Sequence, residues 1–149
     1  MIASILLAAV PAIAPAQDAY SWRQTLDAIR QVETGGLPNE GRGAVGDGGR
    51  ALGPLQIHAA YHTDAAQRDR TLDDYTRCLH STAYSERVVR AYMSRYARSA
   101  LRRLEAGAGT LSDVETVARI HNGGPRANRA DRRKYTDGYW RKVRREVLR

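Results

Sequence analysis

Cysteine is almost absent: Cys78 is the single one in 149 residues. No intrachain disulfide can form, so stability has to come from packing rather than covalent staples. As a nucleophile Cys78 would need a nearby base, and only His80 stands close in sequence. A buried structural thiol is the expected role. Lysine is scarce too, occurring at 134 and 142 only, so arginine supplies the positive charge. No Gly-x-Ser-x-Gly elbow, phosphate-binding glycine loop or fixed-period repeat occurs. Those absences remove the common serine-hydrolase turn, the nucleotide cradle and the solenoid architectures. His58 and His62 have a metal-ligand spacing on an expected helix, but Ala59-Ala60-Tyr61 between them lacks the Glu of a zinc-hydrolase motif. With no third ligand in sight, neither a metal nor a cofactor is expected.

Long apolar runs are confined to the beginning. Residues 1–16 (MIASILLAAVPAIAPA) carry no charged side chain and end in Ala14-Pro15-Ala16, a small-x-small pattern. They read as a secretory leader cut after Ala16, although only the terminal amine gives it positive charge. The run is too short to span a bilayer comfortably and contains Pro11, so no stable membrane insertion is expected. Residues 17–149 are then one domain of a secreted or periplasmic protein. The net charge of +8 is unaffected by removing the leader, and it is uneven. From Arg126 onward ten Arg or Lys stand against Asp131, Asp137 and Glu146, a net of +7. Such a tail attracts polyanions in a salt-dependent way. For an exported protein the expected polyanion is cell-wall polymer rather than nucleic acid.

Most local signals are helical. Ser21 with Gln24 forms a capping box, Trp22, Leu26 and Ile29 share one face, and Gly35-Gly36 stop that helix just past Glu33. Residues 37–52 hold Pro38 and glycines at 41, 43, 46, 48 and 49, which fits a short hairpin or ordered loop. Pro54 suits a first helical turn, predicting a helix over Leu55–Ala66, with a minor one over Leu72–Leu79. The longest helix is expected over Ala83–Leu104, with Tyr84, Val88, Tyr92, Tyr96 and Leu101 inward. Ser112 with Glu115 reads as a second capping box, followed by inward Val114, Val117, Ala118 and Ile120. Thr136 is the expected cap of a last helix that turns Trp140, Val143 and Val147 inward and Arg141, Lys142, Arg144 and Arg145 outward. The expected class is therefore mainly α with one small β-hairpin or loop element.

Two carboxyls stand in contrasting places. Glu33 lies in a last helical turn with Ile29 and Val32 nearby and two glycines following. That is an ordinary surface position, mildly unfavourable at the negative end of the helix dipole, or a sheltered general acid. Asp47, in Val45-Gly46-Asp47-Gly48-Gly49, reads first as a turn residue and second as a carboxylate that stays charged. Glu40 and Asp64 compete with it for that role. His121 and Asn122, just before Gly123-Gly124-Pro125, read equally as a polar helix end or as groups holding sugar hydroxyls.

Taken in order, the segments resemble the invertebrate-type lysozymes, the destabilase family, over roughly Ile29 to Val143. The resemblance rests on Val32-Glu33-Thr34-Gly35, the Asp47 turn, Gly53-Pro54-Leu55-Gln56-Ile57 and Ala60-Tyr61-His62-Thr63-Asp64-Ala65. It continues through 88–96 (VVRAYMSRY), 118–125 (ARIHNGGP) and Gly138-Tyr139-Trp140. It implies a lysozyme-like catalytic domain with a cleft between helical and β-containing parts and retaining hydrolysis of peptidoglycan; a monomer is expected. Glu33 would be the general acid and Asp47 the nucleophile or stabiliser, with Gln56, Tyr61, His121 and Asn122 lining the sugar cleft. Three departures stand out: the missing disulfides, a longer Glu-to-Asp spacing, and no hydroxyl over Gly48–Leu52 where family isopeptidase activity places its serine. The last predicts that isopeptidase activity is absent. Glu33-Thr34-Gly35, Gly53-x-x-Gln56-Ile57 and Asn122-Gly123-Gly124-Pro125 are also similar to the signatures of lytic transglycosylases, which use one Glu alone. A third reading is a non-catalytic, cationic cell-wall-binding protein.

Overall fold

Ser21 starts the first helix as its sequence predicts. In the computed structural model, which describes residues 19–149, its hydroxyl accepts from the Gln24 N–H at 3.2 Å and the Gln24 side chain accepts from the Ser21 N–H at 2.9 Å. The leader expected over residues 1–16 lies outside the described residues. Helix α1 (Trp22–Thr34) buries Leu26, Ala28 and Ile29 and ends at Gly35. Glu33 therefore sits in its last turn. Its neighbour Thr34 anchors that end, donating its hydroxyl to Pro54 O at 2.9 Å. The same side chain lies so near Gly41 that a Cβ there would collide with it.

The following loop folds into a three-stranded antiparallel sheet, β1 (Val45–Gly46), β2 (Ala51–Leu52) and β3 (Ile57–His58), in the order β1-β2-β3. Val45 faces Leu52, and Ala51 faces His58. The helix expected from Leu55 begins only at Ala59, giving α2 (Ala59–Ala66). The reason is backbone chirality at Gly53 (φ 71) and Gln56 (φ 47), both left-handed, which reverses the chain into β3 instead of a helical turn. A side chain at Gly53 would also run into the Cys78 carbonyl. The Tyr75 hydroxyl closes the element, lying 2.9 Å from Arg50 O and 2.8 Å from Ile57 O.

Between Leu72 and Leu79 only α3 (Arg77–His80) is helical. Asp69 and Asp74 each accept from a Thr N–H two residues on, and these local bonds compete with the helical ladder. Cys78 is buried, and burial pushes its thiol up to about 11, as suits a structural residue. The long helix expected over 83–104 is two, α4 (Thr82–Tyr96) and α5 (Arg98–Glu105), with Ala97 at φ −139 between them. The break turns Ala100, Leu101 and Leu104 onto α1 and the next helix, α6 (Leu111–Gly123). No glycine or proline marks it.

The α6 capping box is Thr110 with Asp113, not Ser112 with Glu115. Asp113 reaches back to the Thr110 N–H at 2.8 Å and receives Arg103 at 2.5 Å. Those bonds hold its carboxyl below the ordinary range, the Arg103 bond contributing most. Glu115 is taken instead by Arg119, at 2.7 Å. Arg119 is buried, and its charge is answered by Glu115, by Asp137 at 2.8 Å, by Arg133 O at 2.7 Å and by the Thr136 hydroxyl at 2.9 Å. This network fixes the start of α7 (Asp137–Val147) against α6. Thr136 precedes α7 as expected, but its hydroxyl donates to Arg133 O at 3.1 Å and caps nothing. Helix α7 lies across α1 and α6, with Trp140 and Val143 in the core.

Candidate active site

The packing of α7 on α1 and α6 brings two side chains onto Glu33. The Tyr139 hydroxyl donates to Glu33 Oε1 at 2.7 Å, and His121 Nε2 lies 3.6 Å from the same oxygen. Behind His121, the Tyr61 hydroxyl of α2 meets Nδ1 at 3.3 Å, and its ring stacks on Tyr92 of α4 with centroids 3.6 Å apart. Four helices therefore supply one connected row: Tyr139, Glu33, His121 and Tyr61. The Glu33 side chain is 18% exposed and that of His121 4%.

Both phenols keep their protons. Burial raises Tyr139 well above the usual phenol range, and the adjacent Glu33 carboxylate raises it further. Tyr61 is raised likewise, by burial first and then by Tyr92 and Glu33. The Tyr61 hydroxyl is within hydrogen-bond reach of Nδ1 of His121, and Nε2 is the ring nitrogen nearer Glu33. At 3.6 Å that contact is electrostatic rather than a hydrogen bond. Glu33 Oε2 has no hydrogen-bond partner among the described residues, and no unpartnered side-chain oxygen there is buried. One carboxyl oxygen is thus held from behind while the other stays open to a reactant.

Among the described residues, none of the other expected residues is bonded to this row. Asp47 follows β1 with φ 47, and its side chain is 47% exposed. Arg50 bonds it at 2.9 Å, and His58 Nε2 stands 3.5 Å away. Gln56 turns back on its own loop: Nε2 donates to Gly53 O at 2.9 Å and Oε1 lies against Gly46. Asn122 is exposed in the last turn of α6, without a hydrogen bond from its side chain among the described residues. His58 and His62 diverge, the second being buried and paired with the Tyr84 hydroxyl at 2.9 Å. The row contains Tyr139, and Tyr92 stacks behind its Tyr61 end; neither had a site role in the sequence reading. For Tyr139 a signal existed, since it precedes the inward Val143 by four residues and so shares its helix face.

A family model described as Destabilase matches residues 24–145, most of the chain and every residue of the row. The chain belongs to the Destabilase family. Lysozyme 1 of Crassostrea virginica is 39% identical over 93 residues, which cover 62% of this chain and 43% of that protein. The match therefore spans less than half the length of this relative. Among solved structures, a chain in the crystal structure of Aeromonas hydrophila PliI in complex with Meretrix lusoria lysozyme superposes with a TM-score of 0.57 at 28% identity. The superposition covers 83% of this chain and 88% of that one. The destabilase fold seen here is the expected one, mainly α and lysozyme-like with a small antiparallel sheet.

Proposed function

We propose that this destabilase-family chain is an exported, cofactor-free muramidase that hydrolyses the β-1,4 bond between N-acetylmuramic acid and N-acetylglucosamine in peptidoglycan. The observation that carries the reading is the Glu33 carboxyl, gripped at Oε1 by Tyr139 with Oε2 left open. Glu33 gives a proton to the leaving glycosidic oxygen from that open side. Asp47 takes the second role, attacking or stabilising the anomeric carbon, and Glu33 then draws a proton from the incoming water. His121 and Tyr61 back the acid, while Gln56 and Asn122 contact the sugars. The basic C-terminal segment holds the enzyme, as a monomer, on anionic wall polymer. Its place is secreted or periplasmic; no helix among the described residues is long and apolar enough to cross a membrane.

A second reading has one observation in its favour. Asp47 engages Arg50 and His58, and none of the groups around Glu33. In a lytic transglycosylase Glu33 would act alone, and the sugar's own 6-hydroxyl would close a 1,6-anhydro ring. Mass spectrometry of muropeptides released from purified sacculi separates the two. Reducing ends are expected; anhydro ends as the main product would replace hydrolysis by transglycosylation.

Tyr139→Phe tests the grip on the acid. The ring still packs, but the O–H that fixes Oε1 is lost. A hydrogen bond to a charged group contributes about 1.5–3 kcal/mol, and part of that reaches the transition state. The expected result is a kcat lower by roughly 3- to 30-fold with KM nearly unchanged. An unchanged kcat would remove Tyr139 from the site.

A further inference from the structure

The connection between α6 and α7 is strongly basic, with Arg126, Arg129, Arg132, Arg133 and Lys134 against Asp131 alone. Its arginines divide into two kinds. Arg133 is spent on the frame: it bonds Asn128 O at 3.2 Å and Asn128 Oδ1 at 3.0 Å, and stands 3.6 Å from Glu115. Asn128 in turn donates to Thr116 of α6 at 3.1 Å, and buried Arg119 ties Arg133 O and Thr136 from below. The frame is tight enough that a Cβ on Gly123 would stand 2.6 Å from Thr136 Cγ2 and 2.7 Å from Ala127 Cβ.

Over this frame lies an open depression of about 380 Å³, lined by Pro125 and Ala127 and by Arg126, Arg132 and Tyr135. Arg126 is exposed and has no acidic partner among the described residues. Among the described residues Arg132 meets only Asp131, through Nε at 3.6 Å, which leaves the outer nitrogens of its guanidinium unused there. Tyr135 is 70% exposed, with Lys134 Nζ 5.1 Å from its ring centroid, and contributes little to the core. Two forked donors beside an aromatic face and a small apolar floor suit a carboxylate carried on short apolar residues. A bare phosphate chain would have no use for the apolar part.

We propose that this depression is a subsite for the peptide stem of the glycan strand, with a stem carboxylate held by Arg126 and Arg132 and its alanine methyl groups against Tyr135 and Ala127. The inference rests on the peptidoglycan reading above. Gly123, at the floor of the depression, ends the helix α6 that also carries His121.

The test is calorimetric titration of the full chain with a synthetic alanyl-γ-glutamyl-lysyl-alanine peptide, free of sugar. The free peptide should bind, and the same peptide amidated at its carboxylates should bind at least tenfold more weakly. Arg126→Gln with Arg132→Gln should lower affinity at least tenfold with the thermal midpoint preserved. Arg68→Gln with Arg70→Gln, an equal charge change elsewhere, should leave the affinity as it is. No peptide binding, equal loss in both double variants, or binding of glycerol-phosphate polymer in place of the peptide would overturn the assignment. Peptide binding by a protein that cleaves no glycan would sink the muramidase reading alone; glycan cleavage without peptide binding would sink this one alone.

Discussion

Glu33→Gln should lower the rate of glycan cleavage by about 10²- to 10⁴-fold, the usual contribution of a positioned acid or base, and leave binding to purified walls intact. Gln keeps the shape and keeps an oxygen for the Tyr139 hydroxyl now bonded at 2.7 Å, but it has no transferable proton. The fold should not suffer. A carboxylate in the last turn of α1 opposes the negative end of the helix dipole, so its neutral amide is tolerated or favoured by up to about 1 kcal/mol. Activity and stability are thus expected to move in different directions, which separates lost chemistry from lost structure. The measurements are muropeptide release, sedimentation with walls and a thermal melt. A variant that keeps more than about a tenth of wild-type cleavage would exclude Glu33 as the proton donor. A wild type that binds walls and never cleaves them would leave the cationic binder.

The elements written in short-range chemistry were legible. The Ser21–Gln24 box, the Gly35-Gly36 stop, the α4 stripe through Tyr84, Val88 and Tyr92 and the inward Trp140 and Val143 need only neighbours to be understood. What escaped is decided by distant partners. Ala97 breaks a helix so that Leu101 and Leu104 can meet α6 and α1. Thr110 outcompetes Ser112 as a cap because Arg103 adds to Asp113 while Arg119 captures Glu115. The Leu55 start failed because Pro54 is as much at home in the turn between Gly53 and Gln56 as at a first helical position, and Gln56 gave no warning of a left-handed backbone. The site divides in the same way. Glu33, Tyr61 and His121 were read from motifs and do converge, whereas the donor that grips Glu33 comes from α7, 106 residues further on.

Asp47→Asn decides how many carboxylates the reaction uses. Asn tolerates a left-handed backbone, so the turn with φ 47 at this position should survive. The pair with Arg50 is exposed at both ends, and such pairs contribute at most about 1 kcal/mol, so folding is little affected. Any large change in rate therefore reports chemistry. In retaining hydrolysis a neutral side chain can neither attack the anomeric carbon nor balance its positive charge, and the rate should fall by several orders of magnitude, comparably to Glu33→Gln. In transglycosylation the substrate supplies its own nucleophile, and the variant should stay within a few-fold of wild type while its products carry anhydro ends. The contacts of Asp47 with Arg50 and His58 do not conflict with hydrolysis, since the two carboxyls of retaining enzymes stand about 5–5.5 Å apart and need not touch. The expected outcome is the large loss, with reducing ends on the residual product. A near-normal rate would move the second role away from the β1–β2 turn and leave Glu33 to serve as acid and then base.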